Sequence, residues 1–405
     1  MNLPAPLRER GFRLFFCGEV VNNAGTSMAN LALAFAVLGI DDSATAVGWV
    51  AAAWTVPMVA FMLLGGAIAD RLPRALVLRG CNLGQGVLQA IAAMLVLTGT
   101  ATVWQLVVLQ FLSGTLFAVS YPAFHGMVPI LLEPERRKAA YLLLGQSESA
   151  LSILGPAVAG VLVATAGAGW ALAIDAGTYF VAAVFLTLLR LPFGERPERR
   201  ESVIGDFASG WTYVRSLGWV IPIACCSLVF NALISGAIFV LGPVIANGTI
   251  GSDGWGFARA GQAVGMFAVT LVLARARLRF PLRLALIGFT ASAIPMLLLG
   301  ATSGTLLLAG GFLVAGAGSG LINLTWSMTV QEKVREDMLS RVMAIDGFFS
   351  FVAMPLGQVA VGPVATAFGH ARVEYGSAGL CVVVLLIGLC VRPIRRLRLD
   401  SSGAA

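Results

Sequence analysis

The chain has 405 residues, of which 58% are hydrophobic and only 12% are charged, and it carries a net charge of +7 with a mean hydropathy of +0.88. Water-soluble domains carry about 25% charged residues. This composition excludes a water-soluble globular protein and indicates a polytopic membrane protein. The longest polar stretch, residues 193–216, is too short for a soluble domain of its own.

Apolar segments of about 20 residues cross a bilayer as helices, because lipid offers no hydrogen-bond partner to an exposed backbone. The sequence predicts an all-helical fold with twelve such spans. They are 12–40, 46–69, 76–98, 103–130, 139–166, 170–191, 217–246, 253–274, 282–301, 304–330, 340–368 and 373–391.

The basic residues alternate along the chain. Of the 27 lysines and arginines, 25 fall at the N-terminus, in every second loop, or at the C-terminus; Arg372 and Arg259 are the two exceptions. By the positive-inside rule, both termini are expected in the cytoplasm. The positive charge therefore reports topology in a bilayer, and nucleic acid is not expected as a partner.

Residues 193–216 divide the chain into two six-helix bundles, predicted at 1–192 and 217–405, the second with a short cytoplasmic tail. The tetrapeptide VATA at 163–166 recurs at 364–367, 201 residues later. This spacing is half the chain length and indicates an internal repeat. Parallel six-helix halves place a substrate site near the bilayer midplane, between the halves.

The loop between the second and third spans, GGAIADRLPRALVLRG at 65–80, concentrates one acid and three arginines between apolar runs. Its glycines allow close helix approach. Asp70 is placed to face the positive end of a neighbouring helix. The arginines are expected to anchor the loop to headgroups and to pair with acids. The pattern predicts a charged latch between two moving bundles.

This loop resembles the signature loop of the major facilitator superfamily, glycine–x–x–x–aspartate–arginine–x–glycine–arginine. Gly66, Asp70, Arg71 and Arg74 match it, and Pro73 replaces the second glycine. Nearly the whole chain resembles the drug-efflux subgroup that contains macrolide-efflux and enterobactin-export proteins. The segments that carry this resemblance are FRLFFCGEVVNNAG (12–25), YPAFHGMVPILLEPERRKAA (121–140), GPAVAG (155–160), IDAGTYF (174–180) and QEKVREDMLSRVMA (331–344).

The resemblance implies proton-coupled export of a small amphipathic compound by alternating access. It also implies that Asp70 engages the cytoplasmic end of the eleventh span, near Arg341 and Asp346. The chain departs from many drug–proton antiporters in the fourth span, where Gln110 stands in the neighbourhood in which they carry an arginine.

Ionisable residues inside spans are costly and usually functional. In the first span, Glu19, Asn23, Thr26 and Asn30 fall within about 60° on a helix, which makes one polar stripe, and Asn22 flanks it. We expect this stripe to line the substrate cavity and Glu19 to take up a proton or contact a cationic group. The alternative is that Glu19 pairs with an arginine outside the cavity.

Two further acids lie inside spans. Glu148, in the fifth span, is a second candidate for proton coupling; alternatively, it is a buried carboxyl bonded to the nearby Ser149 and Ser152. Asp175, in the sixth span, is expected to have a structural role in capping or packing.

The second half offers two more candidates for the cavity. Ser227, Asn231 and Ser235 follow one another at i, i+4 and i+8 in the seventh span. Arg259 stands alone inside the eighth span, where an anionic-substrate contact and snorkelling to the membrane surface explain it equally well.

Transport is the function that these features favour. The primary hypothesis is a gradient-driven exporter of drugs, antibiotics or secondary metabolites such as siderophores, with protons as the coupling ion. The alternative is a proton-linked or passive uptake carrier on the same fold. An enzyme is not expected, because the sequence has no GxSxG, HExxH, phosphate-loop or CxxC motif, and a channel would predict a ring of subunits.

No cofactor or metal is expected, since His125 and His370 are far apart in sequence. We expect a monomer. Twenty-five arginines against two lysines are typical of GC-rich bacterial genomes, which suggests the bacterial cytoplasmic membrane.

Overall fold

The computed structural model describes residues 4–69, 73–189, 211–273, 280–301, 304–335 and 338–398, and these residues form helices and turns with no strand. The chain divides into two compact units. The first comprises Met1–Asp42 and Trp49–Arg199, and the second comprises Ser43–Gly48 and Arg200–Ala405. Most of the predicted linker lies outside the described residues.

In the first unit, α1 packs against α6 and α7, and α3 packs against α4 and α7. The start of α2, up to Gly48, belongs to the second unit. The helices are α1 (Arg10–Leu38), α2 (Ala44–Ala69), α3 (Arg74–Leu97), α4 (Val103–His125), α5 (Met127–Leu131), α6 (Pro134–Ala166) and α7 (Ala168–Leu188).

In the second unit, α13 packs against both α10 and α11, while α8 packs against α14, α15 and α16. Residues 211–217 are also helical. The helices are α8 (Val220–Ile234), α9 (Gly242–Asn247), α10 (Gly251–Leu273), α11 (Pro281–Ala291), α12 (Ala293–Gly300), α13 (Thr305–Lys333), α14 (Leu339–Val352), α15 (Met354–Phe368), α16 (His370–Cys390) and α17 (Arg392–Arg396). A π-helical segment, Ser235–Leu241, joins α8 to α9.

Within the described residues, eleven helical segments are long and apolar enough to cross a membrane. The first helix, α1, adds a twelfth segment of sufficient length at 29 residues. It is not among these eleven segments, and its one glutamate and three asparagines lower its hydropathy. The predicted all-helical membrane fold is confirmed, and most predicted span ends agree with the helix ends within a few residues.

Local sequence explains several helix ends. Thr102 and Gln105 form a reciprocal capping box at the start of α4. Helix α6, which corresponds to the fifth predicted span, begins at Pro134, five residues before the predicted start at 139. Proline is well suited to the first helical turn. Gly167 (φ 92°, ψ 159°) and Gly369 (φ 85°, ψ 147°) each join two helices directly, in a conformation that only glycine adopts readily.

Several spans that the sequence predicts as continuous are built from two shorter helices. The break between α14 and α15 comes at Ala353, just before Pro355, which has no backbone N–H to donate. The Ser235 hydroxyl lies against this break and is within hydrogen-bond distance of the Met354 carbonyl oxygen, at 2.9 Å, and of the Ala232 carbonyl oxygen, at 3.0 Å. The predicted polar position Ser235 is thus buried and structural.

Glycines bring α10 and α13 into backbone contact. A Cβ atom at Gly261 would lie 2.6 Å from the Ala309 carbonyl oxygen. A Cβ atom at Gly265 or Gly316 would collide with the carbonyl oxygens of Leu313 and Gln262, respectively. Small residues at such positions are the usual means of close helix association in membranes.

This contact predicts opposite effects for one substitution at two glycines of α13. Gly316→Ala should lower the free energy of unfolding by about 1–3 kcal/mol, because the added methyl group meets backbone that cannot yield. Gly310→Ala is the matched control: nothing lies within 4 Å of its added Cβ atom, so higher helix propensity should leave stability equal or higher.

Thermal unfolding of the detergent-purified variants, followed by size-exclusion chromatography, measures both effects. Equal melting temperatures for the two variants would contradict the proposed contact.

Candidate functional site

The predicted latch residues of the first unit are partly described. Gly66 lies in α2, whereas Asp70 and Arg71 lie outside the described residues. Arg74 begins α3, and its Nη1 donates a hydrogen bond to the Gly126 carbonyl oxygen at 2.8 Å. Arg74 thus bonds a backbone carbonyl at the junction of α4 and α5, whereas the sequence suggested lipid headgroups and acidic side chains as partners of these arginines.

The predicted latch residues of the second unit lie on α14. The Arg341 guanidinium donates to the Met338 sulfur at 3.5 Å. Asp346 is half-buried and lies beside the indole of Trp326 on α13. Both side chains belong to the first half of the broken span formed by α14 and α15.

Glu19 lies inside the first unit. Glu19 is 7% exposed, and no ion pair joins its side chain to an arginine within the described residues. The pairing with an arginine that the sequence left open is therefore absent from the described part of the chain. The Tyr179 phenol of α7 lies close enough to Glu19 for the two groups to interact electrostatically.

Close contact between α1 and α7 sets the environment of Glu19. A Cβ atom at Gly18 would lie 3.1 Å from Phe185 Cβ, and one at Gly25 would lie 3.0 Å from Asp175 Cα. One residue beyond Gly25, the Thr26 hydroxyl donates to the Tyr179 hydroxyl at 3.3 Å. Thr26 and Glu19 therefore border α7.

The asparagines of the stripe have different environments. Asn22 has a buried side-chain oxygen without a hydrogen-bond partner. Asn23 is half-buried and Asn30 is exposed. The predicted stripe thus runs from a buried carboxyl at Glu19 to an open position at Asn30.

Asp175 joins two helices inside the first unit. The Gln89 side-chain amide of α3 donates to Asp175 Oδ2 at 2.8 Å, while the other carboxyl oxygen is buried without a partner. Asp175 is 1% exposed. The bond ties α3 to α7, which is the packing role that the sequence suggested.

Glu148, the second candidate for proton coupling, is exposed on α6 and lies within electrostatic reach of Tyr121 on α4. The hydroxyls of Ser149 and Ser152 each donate to a backbone carbonyl of their own helix. The structure thus shows an open carboxyl, whereas the alternative expectation was a buried one held by these serines.

The candidates in the second unit are Asn231 and Arg259. The Asn231 side chain donates to the Ser227 carbonyl oxygen of its own helix at 2.9 Å. The half-buried Arg259 donates to the Gln262 side-chain oxygen. Its guanidinium carbon lies 4.8 Å from the ring centre of Phe239 and 5.4 Å from that of Phe312.

Among the residues that the structure describes, no three histidine, cysteine, aspartate or glutamate side chains are grouped so that they could hold a metal ion. His125 packs edge-on against Tyr121, with ring centres 4.6 Å apart.

Known proteins resemble this chain over its full length. A family model described as transmembrane secretion effector, within the major facilitator superfamily, matches residues 2–402. The chain belongs to this transporter family. Its members and the curated relatives are membrane transporters and not enzymes.

Among the relatives of this transporter, macrolide efflux protein A of Streptococcus pyogenes is 22% identical over 407 residues, covering 96% of this chain and 97% of that protein. Multidrug efflux pump Tap of Mycolicibacterium fortuitum is 24% identical over 408 residues, covering 95% and 96%. The solved structure of a variant of nucleoside transporter NupG superimposes with a TM-score of 0.76 at 14% identity, covering 94% of this chain and 100% of that chain. This last likeness shows the fold alone.

Sequence reasoning about this transporter missed Glu374, which lies on α16 and is 0% exposed with neither carboxyl oxygen hydrogen-bonded. A glutamate inside the last span was itself a signal for it. Tyr179 and Phe239 were missed for a different reason. Their partners Thr26 and Arg259 lie on other helices, and nothing in the local pattern joins them.

The contact between Arg74 and Gly126 predicts a non-additive pair of substitutions. Arg74→Ala removes the hydrogen bond, and Gly126→Ala displaces the same guanidinium, because an added Cβ atom would collide with it. Each single variant should lose about 1.5 kcal/mol or more of stability, and the double variant should lose little further.

Thermal unfolding of the two single variants and the double variant measures this coupling. Gly145→Ala is the control within the same unit, since its Cβ atom would meet nothing within 4 Å. Losses that add in the double variant would show that the two residues act independently.

Proposed function

We propose that this transporter exports small amphipathic compounds across the bacterial cytoplasmic membrane by proton antiport with alternating access. The compounds are drugs, antibiotics or secondary metabolites, including siderophores. Relatives named for macrolide and multidrug efflux support export, and bacterial relatives support the location. The alternating loop charges support cytoplasmic termini.

One observation carries the proton-coupling part of the proposal. Glu19 places a carboxyl inside a span, 7% exposed and without an ion pair within the described residues. An uncompensated charge in such a place is costly, and a carboxyl can lose its charge by binding a proton. Glu148 offers a second carboxyl, open on α6. We propose that these two groups carry protons between the two sides of the membrane.

The polar positions that remain on α1 and α8 are proposed to contact the substrate. Asn23 and Asn30 are at least partly open, and Asn22 carries an unpartnered side-chain oxygen. Asn231 is half-buried on α8. Side-chain amides of this kind bind the hydroxyl and carbonyl groups of drug-sized ligands while the surrounding wall stays apolar.

The conformational latch is proposed to consist of Gly66, Asp70, Arg71, Arg74, Arg341 and Asp346. The bond from Arg74 to the Gly126 carbonyl supports it, because this bond fixes the end of the loop to the first unit. Arg341 and Asp346 both lie on α14, the first half of a broken span, and this shared position supports their assignment as the latch residues of the second unit. The proton gradient suffices as an energy source, since one charge crossing 100 mV yields about 2.3 kcal/mol.

The test compares wild type with Glu19→Gln in proteoliposomes under an imposed pH gradient. The panel holds lipophilic cations, macrolides and catecholate siderophores. Glutamine has nearly the same shape and cannot release a proton, so gradient-driven transport should fall to the level without a gradient. Substrate exchange at equal pH should persist, because exchange needs no net proton movement.

Glu9→Gln is the matched control, since Glu9 is exposed and pairs with Arg136 at the surface. Gradient-driven transport that persists in Glu19→Gln would remove this residue from proton coupling. Movement of substrate in the same direction as protons would indicate the alternative function, an uptake carrier.

A further inference from the structure

Arg259 carries a charge that no acid compensates within the described residues. It lies in α10, a membrane-spanning helix, and has no ion pair among the residues that the structure describes. Asp253, on the same helix, is exposed, and Glu374 is fully buried with both oxygens unbonded, so neither serves as a counter-ion. An arginine retained inside a span without a counter-ion is a candidate for ligand recognition.

Aromatic rings hold the guanidinium in place. Phe312, on α13, is 1% exposed and forms the inner wall. Phe239 is 44% exposed and forms the outer wall. Contacts between a cation and a ring stabilise the charge at its face, and they leave the N–H donors at the edge of the guanidinium for other partners.

The donors of Arg259 are only partly used. A guanidinium has five N–H donors. One nitrogen donates to the Gln262 side chain. Arg259 is half-buried, and none of its nitrogens is among the fully enclosed atoms that lack a partner, so the remaining donors keep some access to a ligand. That arrangement suits an incoming acceptor with two oxygens.

An irregular backbone segment presents Phe239 to Arg259. In the π-helical segment Ser235–Leu241, every residue except Phe239 is buried. The segment packs against α15, where a Cβ atom at Gly236 would lie 2.7 Å from the Gly357 carbonyl oxygen. π-helical turns are rare and occur frequently at functional sites. Here the turn places one aromatic ring over the unpaired charge.

We propose that Arg259, Phe239 and Gln262 form a binding site for an oxyanion, a carboxylate, sulfonate or phosphate, borne on an apolar body. The guanidinium edge binds the oxyanion, and Phe239 packs against the apolar body. Two sources share this chemistry: an amphipathic anion that the protein transports, and the phosphate of a membrane lipid. Only the first of these rests on the proposed export function.

Binding of tritiated 1-naphthaleneacetate to detergent-purified protein, measured by scintillation proximity, tests the site without any gradient. Wild type should bind it saturably. Arg259→Met should weaken binding about tenfold or more, the loss expected for charge-assisted hydrogen bonds. Arg259→Lys should give an intermediate affinity, because lysine keeps the charge and lacks the planar pair of N–H donors that binds two oxygens at once. Phe239→Ala should weaken binding several-fold.

Two controls separate recognition from general effects. The neutral analogue 1-naphthaleneacetamide should bind wild type more weakly and be insensitive to Arg259→Met. Arg372→Gln changes an exposed arginine of the same unit and should bind as wild type does. Equal binding of 1-naphthaleneacetate by wild type and a folded Arg259→Met or Arg259→Lys protein would overturn the proposal.

Native mass spectrometry separates the two sources. Phospholipid retained by wild type and lost in Arg259→Met, and not displaced by 1-naphthaleneacetate, assigns the site to lipid. If 1-naphthaleneacetate displaces the bound lipid, the site is assigned to a free amphipathic anion. The same assignment follows if no lipid is retained and 1-naphthaleneacetate binds saturably. Because binding is measured without transport, failure of the export function leaves this result unchanged.

Discussion

A hydrocarbon environment requires every backbone polar group and every charge to find its partner within the protein. The helical architecture follows from this requirement, and so do its exceptions. Where Pro355 breaks a span, the buried Ser235 hydroxyl bonds the Met354 carbonyl oxygen beside the break. The same requirement makes an ionisable group without an ion-pair partner inside a span informative. Its desolvation destabilises the fold, so its retention indicates a role in function.

Three ionisable groups inside spans stand out because no ion pair joins them to another described residue. The buried Glu19 lies in the first unit, and the half-buried Arg259 and the buried Glu374 lie in the second. Asp175 shows the contrast, since one of its carboxyl oxygens accepts a hydrogen bond from Gln89 and joins two helices. A transporter needs groups that change partner or proton during its cycle. Unpaired groups inside spans meet that need, whereas the bonded Asp175 serves packing.

Glycine contacts determine where these groups lie. Gly18 and Gly25 bring α1 against α7. This contact places Thr26 beside Tyr179, and it places Glu19 close enough to Tyr179 for the two groups to interact electrostatically. In the second unit, Gly316 brings α13 against α10 at Gln262, the residue that bonds Arg259. Backbone approach at glycines thus positions charged side chains on the neighbouring turns of the same helices.

The helices could be predicted from the sequence because a bilayer imposes a length and a hydropathy that are visible in the chain. The breaks at Gly126 and Ala353 could not, since proline and glycine are common in spans that stay continuous. Glu19 and Arg259 were found as charges in apolar runs, and Glu374 carried the same signal. Their surroundings could not be foreseen, because Tyr179 lies 153 residues from Thr26 and because Phe239 lies in a π-helical segment that no sequence pattern indicated.

The proton-antiport account is tested most directly by measuring proton movement that accompanies transport in wild-type proteoliposomes. A pH-sensitive dye trapped inside the vesicles reports protons while a transported compound runs down its own gradient with no pH gradient imposed. The account predicts proton flow opposite to the compound and in proportion to its rate. Transport of the compound without proton flow, or with protons in the same direction, would contradict it.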